Sequence, residues 1–160
     1  TGTVRTLALG VVPGMHVDFL TGHKMSSSGW LLSEIWKFND MQIENTHTFI
    51  QWVFPTNEES RAMPGSPVLD EEEIFAIRNN EQAKQNLSTS ADWYFSFLRR
   101  NSFWRKPHDH NHLRITRVIK SLRLLCGDDE ADYFKEQFWQ LLGADVSLIP
   151  SKTIEYWEDA

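Results

Sequence analysis

Cysteine is nearly absent from this chain, which has one, Cys126, among 160 residues. A single cysteine excludes an intramolecular disulfide framework and a zinc site made of several cysteines, and it suits a reducing compartment. No apolar run approaches the roughly 18 residues that a membrane span requires, and the apolar stretch at residues 7–12 is too short for a secretory signal peptide. We therefore expect a soluble cytoplasmic protein with no membrane partner, in which residues 1–14 are a flexible leader or a cloning remnant.

The standard catalytic signatures are also missing. The sequence contains no G-x-S-x-G, no P-loop, no G-x-G-x-x-G and no H-E-x-x-H motif. These absences exclude the commonest hydrolase, nucleotide-binding and zinc-protease patterns. We expect no cofactor.

Charge is unevenly spread along the chain. The net charge is −6, but residues 99–123 carry eight lysines and arginines and one acid, Asp109, for a local charge of +7. Such asymmetry indicates either an anionic partner or pairing between the basic segment and acidic parts of the same protein. Since the chain is acidic overall, we favour internal pairing.

The pattern of helix breakers predicts an all-α fold. Strand character is confined to residues 3–12 and 17–20, whereas apolar residues elsewhere recur at helical spacing. We predict a single compact domain of six or seven helices over residues 15–160. The predicted segments are 30–38 after a Ser28 cap, 44–54, about 70–98 in one or two pieces with an Asp70–Glu73 capping box, 110–125, 128–142 and 151–157.

The most informative segment is 106–120, where three histidines precede and enter a predicted helix. His110, Arg114 and Arg117 are spaced i, i+4 and i+7, so they share one helix face. The opposite face is apolar and predicts a core contact; it consists of Ile115, Val118, Ile119, Leu122 and Leu125. The first face therefore brings imidazole and guanidinium groups together.

That face has two interpretations that the residues leave open. Arginine binds phosphate or carboxylate in a bidentate fork, and a histidine at a helix N-terminus is kept neutral by the helix dipole and can act as a general base. The segment would then be an anion site or a catalytic site. Alternatively, Asp109 or Asn111 caps the helix and both arginines pair with carboxylates of neighbouring helices, which is the interpretation we favour.

The same segment has two further candidate partners, zinc and nucleic acid. His108, His110 and His112 lie close together with Asp109, but zinc sites usually draw ligands at i, i+4 on a helix or from separate segments, so we expect no metal. Phe103 and Trp104 alternate with basic residues, as in proteins that stack on nucleic acid. A nucleic-acid partner remains an alternative that the acidic net charge disfavours.

Two motifs resemble the conserved domain of the opioid growth factor receptor family. They are Thr46-His47-Thr48-Phe49-Ile50-Gln51-Trp52-Val53-Phe54-Pro55 and His108-Asp109-His110-Asn111-His112-Leu113-Arg114-Ile115-Thr116-Arg117. Weaker agreement at residues 17–20 and 151–157 extends the resemblance over roughly residues 15–158. Animal members of this family bind an enkephalin peptide and act in the nucleus. This chain carries none of their long extra regions and repeats, so we expect a stand-alone domain.

The sequence therefore predicts a non-enzymatic, receptor-like helical binding module for a peptide or another anionic molecule. Its predicted ligand surface consists of His47, Gln51, His108, His110, Asn111, Arg114 and Arg117. One alternative is a hydrolase or transferase acting on a phosphorylated or anionic substrate, with His110 as acid/base; another is a nucleic-acid-associated protein. A third is a purely structural role, with the motif as an ion-pair network. We expect a cytoplasmic location, or a nuclear one for a eukaryotic member, and the residues predict no oligomeric state.

Overall fold

The computed structural model describes residues 15–60 and 62–160. The leader predicted at 1–14 and the strand-like stretch at 3–12 lie outside the described residues. These described residues form nine α-helices and one 3₁₀ helix. They contain no β-strand, and their β-type pairing is a single parallel bridge between Thr56 and Val68. The all-α prediction is confirmed. The helices are α1 Met15–Leu20, α2 Leu32–Ile35, α3 Asp40–Asn45, α4 Ile50–Val53, α5 Glu71–Arg78, α6 Glu81–Arg100, α7 His110–Leu125, α8 Asp128–Leu142, the 3₁₀ helix Gly143–Leu148 and α9 Ser151–Asp159.

The helix count exceeds the predicted six or seven because the first part of the chain is divided into short pieces. Four of the nine α-helices have six residues or fewer, and all four precede residue 54. The described residues divide into two compact units, the first ending at Asn86 and the second comprising Leu87–Ala160, with the boundary inside α6. None of the helices among the described residues combines the length and the apolar character that a bilayer crossing requires.

In the first unit, the helix predicted at 30–38 is shortened to α2. The predicted cap, Ser28, lies in a turn that Gly29 closes: Gly29 has φ +86 and its N–H donates to the Ser26 carbonyl at 2.9 Å. The Ser26 hydroxyl accepts the next N–H, that of Trp30, at 3.3 Å. The backbone is therefore held in a turn through Trp30, and the helix begins only after Leu31.

The helix predicted at 44–54 is wrong as one element. Asn39 caps α3, since its Oδ1 accepts from the Gln42 N–H at 2.8 Å and Gln42 Oε1 accepts from the Asn39 N–H at 2.9 Å. This reciprocal cap starts the helix earlier, and the extended backbone of Thr46 (φ −93, ψ 122) ends it. His47 consequently lies between α3 and α4 rather than on a helix.

The predicted capping box before α5 is confirmed. Asp70 Oδ1 accepts from the Glu73 N–H at 2.8 Å, and Glu73 Oε1 accepts from the Asp70 N–H at 3.2 Å. Residues 17–20, which had strand character, are helical in α1. That helix is fixed by His16, whose ring stacks on Trp52 at 5.1 Å and bonds to the Trp52 carbonyl at 2.8 Å.

In the second unit, α7 has the predicted bounds and the predicted buried face. The five apolar residues of that face are at most 2% exposed: Ile115, Val118, Ile119, Leu122 and Leu125. Gly127, with φ +106, ends the helix by donating its N–H to the Leu122 carbonyl at 3.0 Å. A residue with a side chain would be strained in this conformation, so glycine sets the turn from α7 into α8.

The core of the second unit is an aromatic cluster of Trp104, Phe138, Trp139 and Trp157. Phe138 lies 5.6 Å from Trp104 and 4.9 Å from Trp157, measured between ring centroids. The Trp104 indole N–H donates to the carbonyls of Leu98 and Asn101 at 2.9 and 2.8 Å. The Trp157 indole N–H donates to the His112 carbonyl at 3.1 Å. The two fully buried indoles, those of Trp104 and Trp157, thus satisfy their donors while their rings contribute apolar burial.

Candidate functional site

The start of α7 is fixed by Asp109. Its Oδ1 accepts from the backbone N–H and from the side-chain Nδ2 of Asn111, both at 2.8 Å. The Asp109 side chain is 5% exposed, and the ammonium group of Lys106 lies 3.7 Å from its Oδ2. The interpretation that Asp109 caps the helix is therefore confirmed. A cap of this kind typically stabilises a helix by about 1 kcal/mol.

Asn111 connects this cap to the interior of the unit. It is 0% exposed, and its Oδ1 accepts from the Tyr94 hydroxyl at 2.7 Å and from Arg114 Nη1 at 3.4 Å. Asp109, Asn111, Tyr94 and Arg114 thus form one buried polar network between α6 and α7. Such a network is stable because each buried group finds a partner, and it fixes the position of the helix end.

The face shared by His110, Arg114 and Arg117 does not lie wholly toward solvent. His110 is exposed, Arg117 is half-buried and Arg114 is 5% exposed. Nine of the sixteen residues of α7 are buried, a wider band than the five apolar positions alone. The face therefore runs from the surface at the N-terminal end of the helix into the interior one turn later.

His112 has a structural role. It is 6% exposed, and its Nε2 lies 2.7 Å from the Trp104 carbonyl. Because a carbonyl only accepts, Nε2 carries the proton in this bond. The Trp157 indole N–H donates to the His112 carbonyl at 3.1 Å, and the two rings meet edge to face at 5.4 Å. His112 therefore joins α7 to α9 and to the segment before α7.

A groove of about 250 Å³ lies along the start of α7 and one side of α9. Its polar lining includes the side chains of His108 and Thr153, and the buried Asp109 and His112 also contribute to it. Two of its apolar residues are well exposed, Leu113 at 64% and Tyr156 at 52%. Four side chains on this surface can contact a ligand directly: the apolar groups of Leu113 and Tyr156, the imidazole of His108 and the hydroxyl of Thr153.

The predicted site residues are distributed over both units. His47, exposed, and Gln51, 6% exposed on α4, belong to the first unit. In the second unit, Asn111 and Arg114 are brought together in the buried network, His108 lines the groove, and His110 is exposed at the first position of α7.

Part of the basic segment is paired with carboxylates inside the second unit. Arg105 lies 3.0 Å from Asp145, and Arg123 contacts Asp132 at 2.7 Å and Asp128 at 2.8 Å. The hydrogen bond from Arg123 holds the pKa of Asp132 below its ordinary value, and the bonds to Asp132 and Asp128 raise the pKa of Arg123. These pairs support internal pairing over an anionic partner for this part of the chain.

The aromatic groups of the basic segment offer little to a nucleic acid. Trp104 is fully buried, and the guanidinium of Arg105 lies over its ring at 4.9 Å. Phe103 is 40% exposed and contacts Phe97. A stacking platform needs a freely accessible ring face, so Trp104 serves the core instead.

Two residues of this region were missed by sequence reasoning. Tyr94 belongs to the apolar stripe of α6, and its spacing gives no sign that the hydroxyl bonds to Asn111. Tyr156 is next to Trp157 on α9. This helix is too short for its hydrophobic period to show that Trp157 is buried and Tyr156 exposed.

Comparison with known proteins extends this picture. The family model of the opioid growth factor receptor (OGFr) conserved region matches residues 30–103 of this chain. The chain is 28% identical over 116 residues to the opioid growth factor receptor of Mus musculus, covering 59% of this chain and 18% of that protein. It is also 28% identical over 116 residues to the opioid growth factor receptor of Rattus norvegicus, covering 59% of this chain and 20% of that protein.

The matched part of the chain thus corresponds to about a fifth of the length of these relatives. No solved structure matches the chain. The family match ends at residue 103, before the start of α7 and the groove.

Proposed function

Because residues 30–103 match the conserved region of the opioid growth factor receptor family, we propose that this chain is a helical binding module without catalytic activity. Its ligand is a peptide or another anionic molecule. The names of the relatives describe receptors for an opioid growth factor, which supports a peptide as the first ligand class to test. The single cysteine suits a reducing compartment, and we place the protein in the cytoplasm or the nucleus.

The observation that carries this proposal is the buried network at the start of α7. Asn111 is completely buried and bonded to both Tyr94 and Asp109, next to the exposed side chains of His108 and His110. Binding sites need exposed groups whose positions are fixed by supporting hydrogen bonds, since a preorganised site loses less entropy on binding. The network provides that support.

The proposed roles of the site residues follow from their exposure. In the second unit, His108 and His110 contact the ligand, while Asn111, Arg114 and Arg117 position the helix that presents them. In the first unit, His47 is an exposed candidate for contact, and Gln51, being buried, is a candidate positioning residue. Imidazole groups both donate and accept hydrogen bonds, which suits a peptide with polar and charged groups.

The test is isothermal calorimetry with an opioid peptide and with a phosphorylated peptide as the anionic probe. We expect saturable binding without turnover, and the double substitution His108→Ala/His110→Ala should weaken it at least tenfold, the effect of losing about 1.4 kcal/mol. His23→Ala is the matched control, because His23 is also exposed but lies in the first unit outside the candidate set. Unchanged affinity in the double variant, or no binding of either probe, would contradict the proposal.

A further inference from the structure

The groove beside α7 has the size of a side-chain site. Its volume of about 250 Å³ is below the roughly 300–1,000 Å³ of pockets that enclose small-molecule ligands. It is only partly enclosed, and residues of two parts of the chain line it, the segment 107–116 and α9. A space of this size and openness accepts one large side chain of a polypeptide that continues across the surface.

Hydrogen bonds hold both sides of the groove in place. On one side, Asp109 and His112 are fixed by the hydrogen bonds of the cap and of the Trp104 carbonyl. On the other, α9 is held by the buried Trp157 and by Lys135, whose ammonium donates to the Glu158 carbonyl at 2.7 Å. A preformed groove keeps the ordering cost of binding low.

The apolar walls of the groove are exposed in the part of the chain that the structure describes. Leu113 on α7 and Tyr156 on α9 are 64% and 52% exposed and both line the groove. Anchor residues of protein interfaces are typically aromatic or large aliphatic groups that enter pockets of this kind. Leu113 and Tyr156 therefore make the groove suitable for an apolar anchor residue and not for a strongly hydrated ion.

Two exposed lysines beside the groove, Lys106 and Lys152, favour an acidic partner. The Lys152 ammonium lies 5.4 Å from the centroid of the Tyr156 ring, and Lys106, 55% exposed, stands beside Asp109. The acid that lines the groove, Asp109, has its Oδ1 occupied by two N–H donors and its side chain 5% exposed. Carboxylates flanking the anchor would meet cationic groups and would increase the association rate.

We infer that this groove binds an acidic polypeptide segment through one aromatic or large aliphatic anchor residue. The inference rests on the proposed binding function and names its partner class. The anchor enters between Leu113 and Tyr156, and carboxylates on either side of it lie near Lys152 and Lys106.

The experiment uses fluorescein-labelled acidic decapeptides that differ in the central residue, which is Phe, Trp, Leu or Ser. A second set replaces every acid with lysine. Fluorescence anisotropy should show saturable binding of the three apolar-centred acidic peptides and at least tenfold weaker binding of the Ser-centred and lysine peptides. Added salt should weaken binding of the acidic set, because exposed charges are screened.

Variants locate the site. Leu113→Ala should weaken binding of the Phe-centred acidic peptide at least fivefold, and Lys152→Ala should reduce its salt dependence. Tyr133→Ala is the matched control, since Tyr133 is 57% exposed on α8 and does not line the groove. Leu113 and Lys152 are both exposed, so the fold is retained in both variants.

The inference is overturned if no acidic peptide binds at about 1 mM, if lysine peptides bind as tightly, or if Leu113→Ala leaves the affinity unchanged. The opioid and phosphorylated peptides are measured on the same samples. Binding of either that depends on His108 and His110, together with failure of the acidic peptides, contradicts the groove assignment alone. Failure of the opioid and phosphorylated peptides contradicts the proposed function, and failure of the acidic peptides as well contradicts both.

Discussion

Replacing Asn111 with alanine tests whether the buried network holds the second unit together. The Asn111 side chain is 0% exposed and makes two short hydrogen bonds, one to Asp109 and one from Tyr94. Alanine removes both and leaves the Tyr94 hydroxyl, on a fully buried side chain, without this acceptor. A buried polar group that loses its partner costs roughly 1–3 kcal/mol, and the space left by the amide adds to this.

We expect Asn111→Ala to lower the free energy of unfolding by about 2–4 kcal/mol, the sum of the desolvation and cavity contributions. Tyr94→Phe removes the donor instead and leaves Asn111 Oδ1 facing Arg114 at 3.4 Å. Its cost should be smaller, about 0.5–1.5 kcal/mol, the usual net value of one hydrogen bond. Because both variants break the same bond, the double variant should be less destabilised than the sum of the two.

The assay is urea denaturation followed by far-UV circular dichroism and by tryptophan fluorescence. Agreement of the two probes would show that unfolding is two-state, so that the free energies of unfolding of the parent and the variants can be compared. The reasoning is refuted if Asn111→Ala costs less than about 0.5 kcal/mol, the range of an ordinary surface substitution. It is also refuted if the two single effects add without coupling.

Two further predictions concern the second unit. The hydrogen bond from Arg123 lowers the pKa of Asp132, so this pair stabilises the fold at pH values above the ordinary aspartate pKa of 3.8, and its contribution is lost as the pH falls through the lowered pKa. In denaturation curves measured over a series of pH values, Arg123→Gln should abolish this loss of stability at acid pH. An unchanged dependence of stability on pH would contradict the role given to this pair. Gly127→Ala should cost about 1–3 kcal/mol because φ +106 and ψ 174 lie in a region that is nearly restricted to glycine; a melting temperature equal to that of the parent would show that the turn relaxes without strain.

Helices with strong end signals were predictable from the sequence, and short ones were not. The bounds of α7 follow from Asp109 as cap and from Gly127 just beyond its end, and both are local signals. The segment 30–54 has dense aromatic residues that obscure the helical period. The Asn39–Gln42 pair, a reciprocal cap present in the sequence, would have shifted the start of α3 to its true place.

The candidate site was predictable in part. Its location at the start of α7 followed from the motif, but the burial of Arg114 and Asn111 did not, because charged and amide side chains are rarely fully buried and periodicity assigns them to solvent. The bond between Asn111 and Tyr94 joins residues 17 positions apart on two helices. A contact of that kind depends on how α6 and α7 pack, which a local pattern does not encode.

Amide chemical-shift mapping tests most directly whether the exposed start of α7 is a ligand surface. The ¹⁵N-labelled protein is titrated with the opioid peptide and, separately, with the phosphorylated peptide. We predict that saturable shift changes caused by at least one of them include the amides of residues 108–113 and leave the amide of His23 unmoved. Saturable shifts that leave residues 108–113 unmoved, or no saturable shifts with either peptide, would contradict the account.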